Sequence, residues 1–181
     1  MKKEYLNIAR EAIASSFSNK SLNKDVFLRN FSELNEQGAT FVTLTKNGEL
    51  RGCIGSIVAH RNLLDDLIEN ARSAAFKDPR FPPLREDELK DITVEVSLLS
   101  PPKLLDYKDV NDLKAKIKVG QHGVIIKQAY HQATFLPQVW EQLPHFEEFF
   151  SHLGNKAGLS ASYLQEHPEV WVYEVSKIKE D

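Results

Sequence analysis

The chain has 181 residues, a formal net charge of −3, an isoelectric point near 6.1 and one cysteine. One cysteine cannot form an internal disulfide, so we expect a cytoplasmic protein rather than one from an oxidising compartment. The slightly acidic balance, without a run of lysines and arginines, argues against nucleic acid as the main partner. No apolar run approaches the ~20 residues of a membrane-spanning helix, so we expect no membrane segment.

The first elements are an amphipathic helix and a hairpin. Apolar residues recur at helical spacing through residues 2–17, which predicts an N-terminal helix. Residues 18–37 are mostly polar and predict irregular structure. The segments ATFVTLT and LRGCIGSIV then flank Asn47-Gly48, a strong signal for a two-residue hairpin turn.

The turn also predicts the register of the hairpin. If the loop has two residues, Leu44 pairs with Arg51 and Val42 with Cys53. Arg51 and Cys53, two residues apart on one strand, would then project from the same face of the sheet.

A helix and a strand follow. Residues 61–76, RNLLDDLIENARSAAF, carry an apolar stripe at helical spacing, and the prolines of KDPRFPPL end that helix. Residues 91–99, DITVEVSLL, alternate apolar and polar side chains and predict a strand.

The second half resembles the first. GATFVTLT (38–45) aligns with GQHGVIIK (120–127) at an offset of 82 residues, and TVEVS (93–97) aligns with VYEVS (172–176) at an offset of 79. We therefore predict an internal duplication, with strand–strand–helices–strand units at about 38–99 and 120–178. Chance similarity between amphipathic strands is the alternative. Two such units, preceded by the extra N-terminal helix, predict an α+β fold with mostly antiparallel sheet.

The segment LRGCIG contains the cysteine and has two interpretations. Unpaired cysteine is among the most buried residue types, so Cys53 alone indicates a small core residue. The functional interpretation is a reactive thiol: Gly52 and Gly55 would let backbone N–H groups approach a ligand, and Arg51 would favour the thiolate. No histidine lies nearby in sequence, so a base must come from elsewhere in the fold.

Three further residues are candidates for the same site. Asp78 and Arg80 lie in KDPRF and have two interpretations. They form a structural pair that holds the loop, or Arg80 clamps a ligand. His122, in GQHGV, is a candidate general base, and the alternative is a loop histidine exposed to water. The sequence does not show whether His122 lies near Cys53.

Other classes of site have no sequence signal. His145 and His152 are seven residues apart, but a metal site needs further ligands at a suitable spacing, so we predict no metal. Glycine-rich nucleotide loops, HExxH, GxSxG and CxxC motifs do not occur, and we predict no cofactor.

Six stretches together resemble the AMMECR family, also called protein A of the AmmeMemoRadiSam system. They are LRGCIGS (50–56), AAFKDPRFPPL (74–84), ITVEVSLLSPP (92–102), GQHGVII (120–126), FLPQVWEQ (135–142) and FFSHLGNKAGL (149–159). The resemblance covers roughly residues 38–175 and implies one AMMECR-type domain over residues 1–181, with a two-lobed α+β fold. Many relatives have a cysteine before the KAGL stretch, where this chain has LGN, so Cys53 is left as the one thiol.

The resemblance implies a functional centre at LRGCIG but defines no reaction. The resemblance also implies that the protein functions together with a Memo-type protein and a radical-SAM protein. Two hypotheses remain open. In the first, the protein is an enzyme that acts on a small molecule or a modified group together with these partners. Cys53 is its nucleophile, His122 moves the proton, and Arg51 lowers the pKa of the thiol or holds an anion. In the second, the LRGCIG and DPRF segments form a cleft that binds a ligand or a partner protein, and no bond is made.

Overall fold

A computed structural model describes residues 3–181, and these residues form two compact units. The first unit contains residues 3–101 together with Ser176–Asp181, and the second contains Pro102–Val175. Each unit has its own antiparallel pairing of strands and its own buried apolar cluster. The predicted two-lobed α+β fold with an extra N-terminal helix is confirmed.

The first unit is a four-stranded sheet with helices packed on one face. Its helices are α1 (Glu4–Ala14), α2 (Lys24–Asn30) and α3 (Leu63–Phe76), and its strands are β1 (Ala39–Lys46), β2 (Glu49–Gly55), β3 (Ile92–Leu99) and, as numbered below, β8. The strand order is β2-β1-β3-β8, which leaves β2 at an edge.

Alternation along the strands decides which face of this sheet is buried. Val42 and Leu44 of β1 and Val94 and Val96 of β3 have no exposed surface and pack in the cluster that contains α1 and α3. Side chains one residue along each strand must point the other way. We call that second side the outer face of the first sheet.

The second unit repeats this order of elements. Its members are β4 (Lys103–Leu104), α4 (Val110–Lys116), β5 (Gly123–Gln128), β6 (His131–Phe135), α5 (Phe146–Ala157) and β7 (Glu169–Tyr173), and the strand order is β4-β7-β5-β6. In both units a central strand pairs with its hairpin partner and with the strand that follows the helix. A common origin by duplication stays a prediction.

The alignment of VYEVS with TVEVS misplaced the last strands. VYEVS (172–176) spans the end of β7 and the start of β8 (Val175–Lys179), and these two strands belong to different sheets. The strand that occupies the position of β3 in the second unit is therefore Glu169–Tyr173, three residues earlier than the alignment implied. A short local match could not show that the chain leaves one sheet for the other at this point.

The expectation of irregular structure between the first helix and the hairpin was also wrong. Residues 18–37 are not irregular throughout, because α2 and a 3-10 helix at Ser32–Asn35 lie within them. Phe27, Leu28 and Phe31 pack there against the core of the first unit, and this tertiary contact outweighs the polar composition.

The helix predicted from the apolar stripe of residues 61–76 is present as α3. It begins after Asn62, whose side chain accepts a hydrogen bond from the Asp65 N–H.

Candidate functional site

The predicted turn forms, but the register after it differs by one residue. Asn47 and Gly48 both have positive φ, 53° and 82°, as a two-residue hairpin turn requires. A β-bulge then places an extra residue in β2, so Gly52 pairs with Leu44 and Cys53 pairs with Thr43. The predicted pairs Leu44–Arg51 and Val42–Cys53 are therefore wrong.

The bulge decides which way the thiol points. Because Cys53 lies opposite Thr43 and not opposite the buried Val42, its side chain is on the outer face of the first sheet. Cys53 is half-buried, and its Sγ lies 3.2 Å from the Thr43 hydroxyl, within hydrogen-bonding distance. The sulfur is thus outside the apolar core of the unit.

Asp78 and Arg80 hold the backbone of Cys53 at the sheet edge. The Asp78 carboxylate accepts a hydrogen bond from the Cys53 N–H at 2.9 Å, and Arg80 donates to the Cys53 carbonyl at 3.4 Å. Arg80 also binds Asp78 through Nε and Nη2, at 3.0 and 2.7 Å. These bonds satisfy edge groups that would otherwise attract another strand. We call this arrangement the edge clamp.

The two side chains of the edge clamp differ in exposure. The Asp78 side chain is 2% exposed and the Arg80 side chain 55%. Hydrogen bonds from Arg80 hold the pKa of Asp78 well below its usual range, so the carboxylate is ionised. The pKa of Arg80 is raised, chiefly by its hydrogen bonds to Asp78 and to a smaller extent by the negative charge that Cys53 carries when ionised.

Arg51 has a different partner from the one expected. Its guanidinium binds Glu88 through Nε and Nη2, at 3.2 and 3.0 Å, and Glu88 also accepts from Lys46. These bonds, with one from the Arg85 backbone, lower the pKa of Glu88 to about 2. Nη1 of Arg51 is buried and has no partner among residues 3–181. No contact described for Arg51 reaches the sulfur, so its predicted effect on the thiol lacks support.

Both glycines of the motif are required by packing. A Cβ on Gly52 would lie 2.0 Å from the carbonyl oxygen of Ala74 in α3, so the strand and the helix touch there. A Cβ on Gly55 would lie 2.2 Å from the Phe41 ring. The space beside Gly52 is therefore taken by the helix. A role for either glycine in binding a ligand stays a prediction.

His122 is buried in the second unit, 8% exposed, and is not the water-exposed loop residue of the alternative interpretation. Its Nδ1 accepts a hydrogen bond from the Lys118 N–H at 3.1 Å, which leaves the proton of the neutral ring on Nε2. Burial, and then the positive charge of Lys118, lower its pKa. Its proposed exchange of a proton with Cys53, in the first unit, stays a prediction.

Sequence reasoning missed Thr43 and Glu88 as neighbours of the motif. Thr43 would have followed from a correct register, but the bulge has no sequence signal here. Glu88 is 37 residues from its partner Arg51, and no local pattern joins them. Among residues 3–181 no cluster of three potential metal ligands occurs, and none of the helices formed by these residues is long and apolar enough to cross a membrane.

Comparison with known proteins agrees with this class of fold, an α+β protein of two units with antiparallel sheets. The AMMECR1 family model matches residues 6–178. A protein of Methanosarcina barkeri is 39% identical and covers 97% of this chain and 88% of its own length. A protein of Sulfolobus acidocaldarius is 36% identical over 98% of this chain and 77% of its own.

A solved structure is also similar. The crystal structure of the uncharacterized protein PH0010 from Pyrococcus horikoshii superimposes with a TM-score of 0.82 and 32% sequence identity, over 99% of this chain and 91% of that one. The chain belongs to the AMMECR1 family.

Proposed function

We propose that this protein is a ligand-binding module, and that its binding surface surrounds Cys53 at the edge and outer face of the first sheet. The edge clamp carries this proposal. It fixes the Cys53 backbone, yet leaves the Arg80 side chain 55% exposed. Nη1 of Arg80 has no hydrogen-bond partner among residues 3–181, so it can donate to an anionic group of a ligand.

The surroundings of the sulfur favour binding over catalysis. The hydrogen-bond partner of Sγ among residues 3–181 is the Thr43 hydroxyl, which is not a base at neutral pH. Asp78 is a weak proton acceptor, because its hydrogen bonds from Arg80 hold its pKa far below neutral. General-base catalysis works best when the pKa of the base is near the working pH.

Titration with two simple anions tests the binding proposal. We would add inorganic phosphate, and separately acetate, to the ¹⁵N-labelled protein and follow backbone and Arg Nε resonances by NMR. We expect the largest shifts at Thr43, Cys53 and Arg80. Cys53→Ser should bind nearly as well as the wild type, because the proposal uses no covalent bond.

A matched pair of variants makes the test specific. Arg80→Lys keeps the positive charge beside Asp78 but removes the free Nη1, so binding should weaken at least tenfold. Arg85→Lys is the control, because Arg85 is paired with Asp87, also two residues away, but both side chains are about two thirds exposed. Equal effects of the two variants, or shifts spread over the whole surface, would contradict the proposal.

A second candidate is a cysteine-dependent enzyme with Cys53 as its nucleophile. The observation that favours it is the thiol itself, which is half-buried and within hydrogen-bonding distance of the Thr43 hydroxyl. In this case the Cys53 thiolate of native protein should attack the CH₂ carbon of iodoacetamide and release iodide at neutral pH. The rate should rise with pH. Alkylation only after denaturation would exclude the enzyme.

We also propose that the ligand is handled together with Memo-type and radical-SAM proteins. The support is the family resemblance of the six motifs, chiefly LRGCIGS and DPRFPPL. Co-purification of the tagged chain with either partner class from its native cells tests this proposal. A chain that elutes alone under gentle conditions, at low salt, would count against it.

A further inference from the structure

Additional polar groups lie in line with Cys53 on the outer face of the first sheet. Thr43 of β1 is the direct partner of Cys53 on one side and of Glu95 of β3 on the other. Directly opposed residues on neighbouring strands project from the same face. Cys53, Thr43 and Glu95 therefore form one row across three strands, which we call the polar row.

The carboxylate of this row has spare hydrogen-bonding capacity. Its described charge partner is Lys177, whose Nζ lies 3.8 Å away, too far for a hydrogen bond. The Glu95 side chain is 25% exposed. A carboxylate offers about four acceptor sites, so Glu95 can accept an ammonium or another N–H donor from a ligand.

An aromatic ring lies beside the polar row. Phe41 pairs with Gly55 and with Ser97, two residues along each strand from the row, and its ring covers Gly55. Diagonal neighbours on a sheet face are within reach of aromatic side chains. The outer face thus combines the Cys53 thiol, the Thr43 hydroxyl, the Glu95 carboxylate and the apolar Phe41 ring. The Arg80 guanidinium lies at the edge of this sheet.

We infer that this face binds a short zwitterion, with its anionic group on Arg80 and its amine on Glu95. The inference rests on the proposed function, because it uses the same exposed guanidinium. β2 and β3 are separated by two strand spacings, about 10 Å, and the Arg80 guanidinium lies beyond the edge of β2, so it is roughly 14 Å from β3. An extended tripeptide is about 10 Å long and spans this separation with a hydrogen bond at each end. The ligand class is therefore a small amphoteric molecule of roughly tripeptide size with an apolar centre.

Three synthetic peptides test the inference by NMR titration of the full chain: Gly-Phe-Gly, its N-acetyl form and its C-terminal amide. We expect Gly-Phe-Gly to shift Thr43, Glu95 and Arg80, and each blocked form to bind at least tenfold more weakly. In Glu95→Gln the free and acetylated peptides should bind equally, because the group that recognises the amine is gone. Glu69→Gln is the control, since Glu69 is also paired with a lysine, Lys77, but lies on α3.

The outcomes separate this inference from the proposed function. If Glu95→Gln and acetylation have no effect on binding while Arg80→Lys weakens it, the inference of a zwitterionic ligand is wrong, but the proposed anion site at Arg80 is supported. If Arg80→Lys also has no effect, and phosphate causes no local shifts, the proposed function fails as well. An equal effect of Glu69→Gln, or no shift at Thr43 and Glu95 with any peptide, also overturns the inference.

Discussion

Replacing Gly52 with alanine is a direct test of how the LRGCIG segment is held. The added Cβ would lie 2.0 Å from the Ala74 carbonyl oxygen and 3.0 Å from its carbonyl carbon. Carbon and oxygen atoms in close contact are about 3.3 Å or more apart, so β2 and α3 must separate by more than about 1 Å. Both clashing groups are backbone, and no rotation of a side chain can relieve the overlap.

The loss of folding free energy from this separation should be near the upper end of the range for substitutions that overpack a core. Such changes usually cost about 1–3 kcal/mol and sometimes more, so we expect Gly52→Ala to lower the free energy of unfolding by about 3 kcal/mol. Gly48→Ala is the matched control in the same hairpin. No atom of residues 3–181 lies within 4 Å of its new Cβ, but its φ of +82° is unfavourable for alanine. Its cost should be about 1–2 kcal/mol, from backbone strain alone.

The chain offers a separate probe for each unit. Both tryptophans, Trp140 and Trp171, are in the second unit, whereas Cys53, the one cysteine, is in the first. Urea unfolding would be followed by tryptophan fluorescence and by pulse labelling of the thiol. For Gly52→Ala the thiol-labelling midpoint should fall by roughly 1–3 M urea, given usual denaturant slopes.

A thiol-labelling midpoint equal to that of the wild type would refute the packing argument. A midpoint equal to that of Gly48→Ala would do the same, because it would show that the helix contact adds nothing to the backbone effect. An unchanged midpoint would mean that β2 and α3 are farther apart than described.

Three further predictions concern pH and helix ends. The pKa of Glu88 is lowered to about 2 from an ordinary 4.5, so its ion pairs stabilise the fold above about pH 4.5 and are lost as the pH falls toward 2. This difference in pKa corresponds to about 3 kcal/mol of the free energy of unfolding. In urea titrations between about pH 5 and 2, the free energy of unfolding of Glu88→Gln should therefore change less with pH than that of the wild type. His122, whose pKa is lowered by burial, should show an NMR titration midpoint below 6.5, and stability should fall as the pH drops through 6.5 because the unfolded chain takes up the proton first. A midpoint at or above 6.5 would contradict its burial. Gly158 ends α5 at a φ of +76°, so Gly158→Ala should cost about 1 kcal/mol in the tryptophan-monitored transition, and no change would show that the helix ends differently.

The strongest local patterns predicted their elements correctly. The apolar stripe of α3 lies entirely in the core, because a helix of this periodicity can bury one face whatever its neighbours are. The Asn47-Gly48 turn formed for an equally local reason, since both residues tolerate positive φ.

The candidate site could be predicted only in part. The sequence singled out Cys53, Asp78 and Arg80, and the structure brings these three together. It also suggested Arg51 as the cation beside the sulfur; the Arg51 guanidinium binds Glu88, and its effect on the thiol stays a prediction. A single extra residue in a strand reverses the face of every side chain that follows, and composition carries no record of it.

The sequence by itself determined the family, the α+β class, and the elements whose apolar periodicity is long or whose turn chemistry is strict. Those features depend on neighbours within a few residues. The tertiary structure decided the register of β2, the pairing of Arg51 with Glu88, the clamp on Cys53, and the return of β8 to the first sheet. The register of β2 depends on a bulge within the hairpin that has no sequence signal. The other three join groups far apart in the chain, and packing and charge in the folded protein select those contacts, so no periodic pattern in the sequence indicates them.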